Sequence, residues 1–163
     1  MSVTSDDFRA ALGQFASGVT IVTTRHADGR PVGLTVSSFC SVSLEPPLVL
    51  VCIHARSEAT EAARACGLFA VSLLAEDQQA LSQRFAARDG ERFAGLAPSG
   101  AHGLVLIPGA LAQLECRLAT MHAAGDHFVW IGEVLALRTQ PGRPLLYHDR
   151  GYRRLAGPAE ERA

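Results

Sequence analysis

The sequence predicts a mainly β protein, an antiparallel barrel with short helices at its periphery. Three observations carry that expectation. Roughly seven segments read as strands against three short helices, and most of the strands follow one another in hairpin order. Tight-turn signals separate them, as at His26-Ala27-Asp28-Gly29, Gly125-Asp126-His127 and Asp149-Arg150-Gly151. No repeated β–α–β unit occurs, so a doubly wound parallel sheet has no support.

The elements follow from local chemistry. Thr4 reads as an N-cap with Asp7 three residues on, and Phe8, Leu12 and Phe15 recur at helical spacing. That predicts an amphipathic helix over 5–16. Val19 to Arg25 is rich in β-branched residues and reads as a strand ending at the His26–Gly29 turn. The returning stretch, Gly33 to Ile53, holds two strand-like runs, Leu34–Val42 and Leu48–Ile53, separated by Glu45-Pro46-Pro47. The first run threads Thr35, Ser37, Ser38, Ser41 and Ser43 between apolar residues. Each buried hydroxyl needs a partner, so such a strand is poor core material. It suits a wall that hydrogen-bonds the edge of a flat, heteroatom-rich ligand.

Ser57 to Cys66 is alanine-rich and helix-favouring, with Ser57 as N-cap, Thr60 in the first turn and Gly67 as the stop. Leu68 to Leu74 reads as a buried strand, and Asp77 to Ala87 as a second amphipathic helix with Leu81 and Phe85 four apart. Residues 88–103 form a long loop, of the length that tends to be functional or mobile. From Ala110 to Ala119, Leu114, Cys116 and Leu118 alternate with Gln113, Glu115 and Arg117, which predicts a half-exposed antiparallel strand. Phe128 to Arg138 is its partner across the Gly125–His127 turn. Pro141-Gly142-Arg143-Pro144 then breaks the chain before a last pair, Leu145–His148 and Tyr152–Leu155. The tail Gly157–Ala163 is expected to be mobile.

Composition narrows the function classes. At 163 residues, 48% hydrophobic and 19% charged, residues 1–163 are expected to form one globular domain. The apolar runs are too short to span a bilayer, and MSVTSDDFRA lacks the features of a signal peptide. Cys40, Cys52, Cys66 and Cys116 are spread out, three of them in apolar runs, which predicts buried free thiols rather than disulfides. A cytoplasmic location away from membranes is expected. A net charge of -1 argues against nucleic-acid binding. All 15 basic residues are arginine, which excludes Schiff-base chemistry and a P-loop lysine.

Candidate chemistry is sparse. Gly13 to Thr20 has P-loop spacing, but Val19 stands where lysine is required and a helix precedes it. No GxGxxG, G-x-S-x-G or ordered triad occurs. Cys116, His122 and His127 match no standard zinc spacing. Asp126-His127 at a hairpin tip reads either as ordinary turn chemistry or as a rim histidine that donates to a ligand. Ser57 with Thr60 reads either as a plain cap or, with Arg56 beside it, as a phosphate site at a helix N-terminus.

Taken together, FASGVTIVTT, GLTVSSFCSVSLEPPLVLVCI, FAVSLL followed by QRFA, GDHFVWIGEV and PLLYHDRGYRRL resemble the short-chain flavin reductases. These are the reductase components of two-component flavin-dependent monooxygenases. The resemblance runs from Phe8 to Leu155 with the motifs in order; Ser72 departs from it, standing where many members have Asn.

The resemblance implies a Greek-key split β-barrel that binds flavin and usually forms a homodimer. It also implies hydride transfer from NADH or NADPH to FMN or FAD, with reduced flavin passing to a partner monooxygenase. By position, Thr35, Val36, Ser37 and Ser38 match the segment along the isoalloxazine edge, and Cys52 and Ile53 match a second wall. Ser57 and Thr60 match the phosphate-binding helix start, Arg84 and Phe85 a further flavin contact, and His127 the histidine near the nicotinamide. Tyr147 and Tyr152 lie in the terminal hairpin, Tyr147 as a further cofactor contact. Other readings are a non-catalytic flavin carrier or sensor, an oxidase of the pyridoxamine-phosphate type, whose need for a basic cluster on the substrate phosphate the absence of lysine weakens without excluding, and a structural barrel.

Overall fold

The computed structural model describes residues 2–87 and 90–156, so the expected mobile tail, Gly157–Ala163, lies outside the described residues. Helix α1 (Ser5–Gly13) is capped by Thr4, whose hydroxyl accepts the Asp7 N–H. Strands β1 (Ser17–Gly18), β2 (Thr20–Arg25), β3 (Pro31–Val36), β4 (Phe39–Leu44) and β5 (Pro47–His54) follow. Next come α2 (Glu58–Cys66), β6 (Leu68–Leu73) and α3 (Gln79–Ala86). The chain ends with β7 (Ala112–Ala124), β8 (His127–Thr139), β9 (Leu146–His148) and β10 (Gly151–Arg153).

The strands form a seven-stranded antiparallel sheet in the order β3-β2-β6-β7-β8-β5-β4, and a small sheet β1-β9-β10. Strands β3 and β4 are consecutive in the chain yet occupy opposite edges of the large sheet. Only Ser37 and Ser38 join them. Three Cα steps reach about 11 Å at most, so the sheet must curl until its two edges meet. This is a barrel split along one seam. The seam also corrects the expected single strand over Leu34–Val42, which breaks at Ser37-Ser38.

The barrel interior is filled by Val22, Val51, Ile53, Phe69, Val71, Cys116 and Trp130, all buried. Phe69 and Trp130 meet edge to face at 5.7 Å. Helix α2 lays Ala59, Ala62 and Ala63 against this core and stops at Gly67, whose left-handed φ of 71° suits glycine. A second cluster, with Ile21, Leu74, Phe85 and Leu145, sits under α3.

Two expectations are corrected. The expected polar face of β7 is exposed at Arg117 but covered at Gln113 and Glu115, where the preceding loop crosses it. Gln113 donates to the Ile107 carbonyl at 2.5 Å, and Glu115 accepts the N–H groups of Ala101 and His102, each at 2.8 Å. The alternation reports which side chains share a face; it cannot report a cover that arrives from elsewhere in the chain. The four cysteines are free, as expected, but only Cys116 is fully buried, and Cys40 is exposed. Burial pushes the Cys116 thiol up to about 12.

Candidate functional site

The seam is where the fold leaves polar groups open. Ser37 and Ser38 fall between β3 and β4, and neither has a strand partner in the register. Ser38 replaces that pairing with its side chain: its hydroxyl donates to the Cys52 carbonyl at 2.9 Å and accepts the Cys52 N–H at 3.0 Å. The Thr35 hydroxyl donates to the Ser82 carbonyl of α3 at 2.6 Å. The hydroxyl of Ser37, by contrast, has no protein partner among the described residues and faces a cleft.

Two clefts flank the seam. One, of about 690 Å³, is lined by Ser37, Ser38, Cys52, Tyr147 and, from α1 and its end, Leu12 and Phe15. Its walls are largely apolar, with Arg9 and Arg150 at the rim. The other, of about 790 Å³, is lined by Gly33, Thr35, His54, Arg56, Ser57 and Phe85. Gly33 is needed there: a Cβ on it would lie 2.9 Å from the Phe85 ring. Cys52 and His54 are alternate residues of β5, so one strand face runs from the first cleft to the second.

The second cleft ends at the N-terminus of α2. Ser57 caps the helix by accepting the Ala59 N–H at 3.3 Å, and the Arg56 guanidinium beside it makes no hydrogen bond or ion pair among the described residues. Glu58, the carboxylate on this cleft, is engaged by Arg30 at 2.9 Å and His26 at 2.8 Å. Both partners hold its carboxyl below the usual range, Arg30 first. A helix N-terminus with a hydroxyl proton left to donate, a free guanidinium and a neutralised carboxylate suits a phosphate.

His127 opens β8 directly opposite His54 on β5. Its Nδ1 lies 2.7 Å from Asp126 Oδ1, and the imidazole beside Asp126 holds that carboxyl below its usual value.

The family profile for the flavin reductase like domain matches residues 12–156. The chain belongs to this family. It is 43% identical over 150 residues to the reductase subunit HsaB of a flavin-dependent monooxygenase from Mycobacterium tuberculosis, covering 89% of this chain and 79% of that protein. It is 43% identical over 153 residues to the FMN reductase (NADH) SmoA of Agrobacterium fabrum, covering 93% and 87%. Among solved structures, it superposes with a TM-score of 0.89 and 34% identity on the NADH:FAD oxidoreductase SgcE6 of Streptomyces globisporus in complex with NAD and FAD fragments, covering 98% and 99%.

Within this flavin reductase fold the expected site residues separate by depth. Ser37, Ser38, Cys52 and Tyr147 meet on one cleft, and Thr35, Ser57 and Phe85 on the other. Val36 and Ile53 are core residues, 6% and 1% exposed, so only their backbone can face a ligand. Thr60 is 1% exposed, and its hydroxyl donates to the His54 carbonyl at 3.3 Å. Arg84 bonds the Ala94 carbonyl at 3.3 Å and leans over Phe85, and its Nε has no acceptor among the described residues.

Sequence reasoning missed His54, and it missed Leu12 and Phe15 as cleft walls. The signal for His54 was the alternation Leu50, Cys52, His54 along β5. The signal for α1 was an apolar face that finds no cover, since Phe8, Leu12 and Phe15 all stay exposed.

Proposed function

We propose that this chain is a flavin reductase that carries a hydride from NADH or NADPH to FMN or FAD and releases the reduced flavin to a separate monooxygenase. The observation that carries the reading is the seam. It presents the unpartnered Ser37 hydroxyl and the Cys52 wall on one cleft and the α2 N-terminus on a second, with the Cys52–His54 face of β5 leading from one to the other. That arrangement matches a ligand with a flat polar-edged ring at one end and a phosphate at the other.

The residues fit such a ligand and its donor. Bound flavin supplies a hydride acceptor and reduced nicotinamide the hydride. Ser37 holds the polar edge of the ring, and Leu12, Phe15 and Tyr147 give that cleft an apolar wall. Ser57, Arg56 and the α2 amides hold the phosphate. His127, fixed by Asp126, orients the nicotinamide. The protein's part is alignment of donor and acceptor at about 3–3.5 Å, which needs no nucleophile or general base.

The same reading takes residues 1–163 as one domain, located in the cytoplasm and working as a homodimer. Phe8, Leu12, Phe15 and Leu44 are 53–91% exposed, an apolar surface that a second copy would cover. Oxidation of NADH and NADPH with FMN, FAD and riboflavin in turn, alongside anaerobic bleaching of flavin absorbance, tests the activity. Fast bleaching is expected. Tight flavin binding without bleaching would identify a carrier or sensor instead.

A further inference from the structure

The end of β5 and the turn before β8 are joined by a closed set of contacts. The Arg56 N–H donates to His54 Nδ1 at 3.1 Å, which leaves the proton of a neutral His54 on Nε2. The His54 ring meets the His127 ring edge to face, with centroids 5.3 Å apart and planes at 73°. His127 Nδ1 is held by Asp126 Oδ1 at 2.7 Å, and the Asp126 carbonyl accepts the Ala55 N–H at 2.9 Å. His54 and Ala55 at the end of β5 thus clasp two residues of the facing turn, and Arg56 bonds back to the His54 ring.

His127 is 42% exposed at its side chain. An imidazole that exposed, held by a single hydrogen bond to an exposed aspartate, would turn about its χ angles without a second restraint. His54 provides the restraint. It is itself anchored by its backbone, since its carbonyl accepts from Ser57 N–H at 2.9 Å and from the Thr60 hydroxyl at 3.3 Å. The first turn of α2 therefore holds the His54 backbone, while the Arg56 N–H on Nδ1 holds the ring that packs on His127.

We propose that His54 is a positioning residue for His127: the edge-to-face contact sets the plane of the His127 ring and so its aim at the nicotinamide dinucleotide. This rests on the reading of His127 above. The charged and titratable groups around the pair are Asp126 on the turn and Arg56 on the strand end. Aromatic pairs of this geometry carry coupling equivalent to about a twofold to tenfold change in a binding constant.

The test is a double-mutant cycle read in KM for NADH, kcat, and flavin Kd by titration. His127→Ala is expected to raise KM for NADH with little change in flavin Kd. His54→Ala is expected to raise it in the same direction by about twofold to tenfold. His54→Phe, which keeps the ring edge and loses the nitrogen, is expected to restore most of the loss. His54→Ala with His127→Ala together should match His127→Ala alone. Full additivity would overturn the proposal, because His54 would then act on the ligand directly. So would an unchanged KM in His54→Ala, or a loss in flavin affinity and melting temperature alone. If His127→Ala itself leaves KM unchanged, the reading of His127 fails instead.

Discussion

Ser38→Ala tests whether the seam is locked by a side chain. In the native fold the Ser38 hydroxyl makes both bonds that a strand partner would make to Cys52, at 2.9 and 3.0 Å. Alanine leaves the Cys52 N–H and one carbonyl lone pair without partners on a half-buried residue. At about 1 kcal/mol for each bond, the loss is about 2 kcal/mol. For a chain of this length 1 kcal/mol corresponds to roughly 2–4 °C, so the melting temperature should fall by about 4–8 °C. Ser37→Ala is the control, since that hydroxyl has no protein partner and its removal should move the melt by less than about 2 °C. The two variants should reverse roles when flavin is titrated at fixed protein concentration. Ser37→Ala loses a ligand contact at unchanged stability, whereas Ser38→Ala loses affinity only as far as the seam loosens. Thermal melts with and without saturating FMN read both effects. Equal melting temperatures for wild type and Ser38→Ala would refute the seam-lock argument, and so would equal destabilisation by the two substitutions.

Ser57→Ala should weaken FMN more than riboflavin, whereas Thr60→Ala should lower stability and leave the FMN-to-riboflavin ratio unchanged; parallel fluorescence titrations of both flavins check this. Glu115→Gln should destabilise by about 1–3 kcal/mol at neutral pH, because its amide nitrogen would oppose the N–H donors of Ala101 and His102. Burial pushes the Glu115 carboxyl up, but those donors and the His102 ring outweigh it and hold it below its ordinary value. A depressed folded pKa gives stability that is present above the unfolded value, roughly 4.3, and is lost as pH falls through the folded one. The gap between wild type and Glu115→Gln in denaturant midpoint should therefore narrow on acidification, and a gap independent of pH would contradict the assignment.

Much of the fold was legible because it is local. The Thr4 cap, the Gly67 stop and the 26–29 turn are each set by side chains within a few residues of one another, and all three form where the sequence places them. What the sequence pattern could not show is which faces are covered later. Gln113 and Glu115 look solvent-facing in their strand and are buried by a loop, while Phe8, Leu12 and Phe15 look core-facing and stay open. Neither outcome depends on residues near in sequence.

The site shows the same division, and the hydroxyl-rich stretch is its sharpest case. Counting hydroxyls in 35–38 correctly marks a place unsuited to core, yet not every hydroxyl there is left for a ligand. Thr35 and Ser38 satisfy the backbone of α3 and β5, and only Ser37 is left over. The reason is topological. A sheet whose consecutive strands lie on opposite edges needs side chains to complete the pairing where the edges meet, and short hydroxyl residues can both donate and accept there. The requirements of closing the barrel and of lining a cleft thus fall on the same residues. The serine that closes the seam also fixes the wall on which its neighbour is displayed.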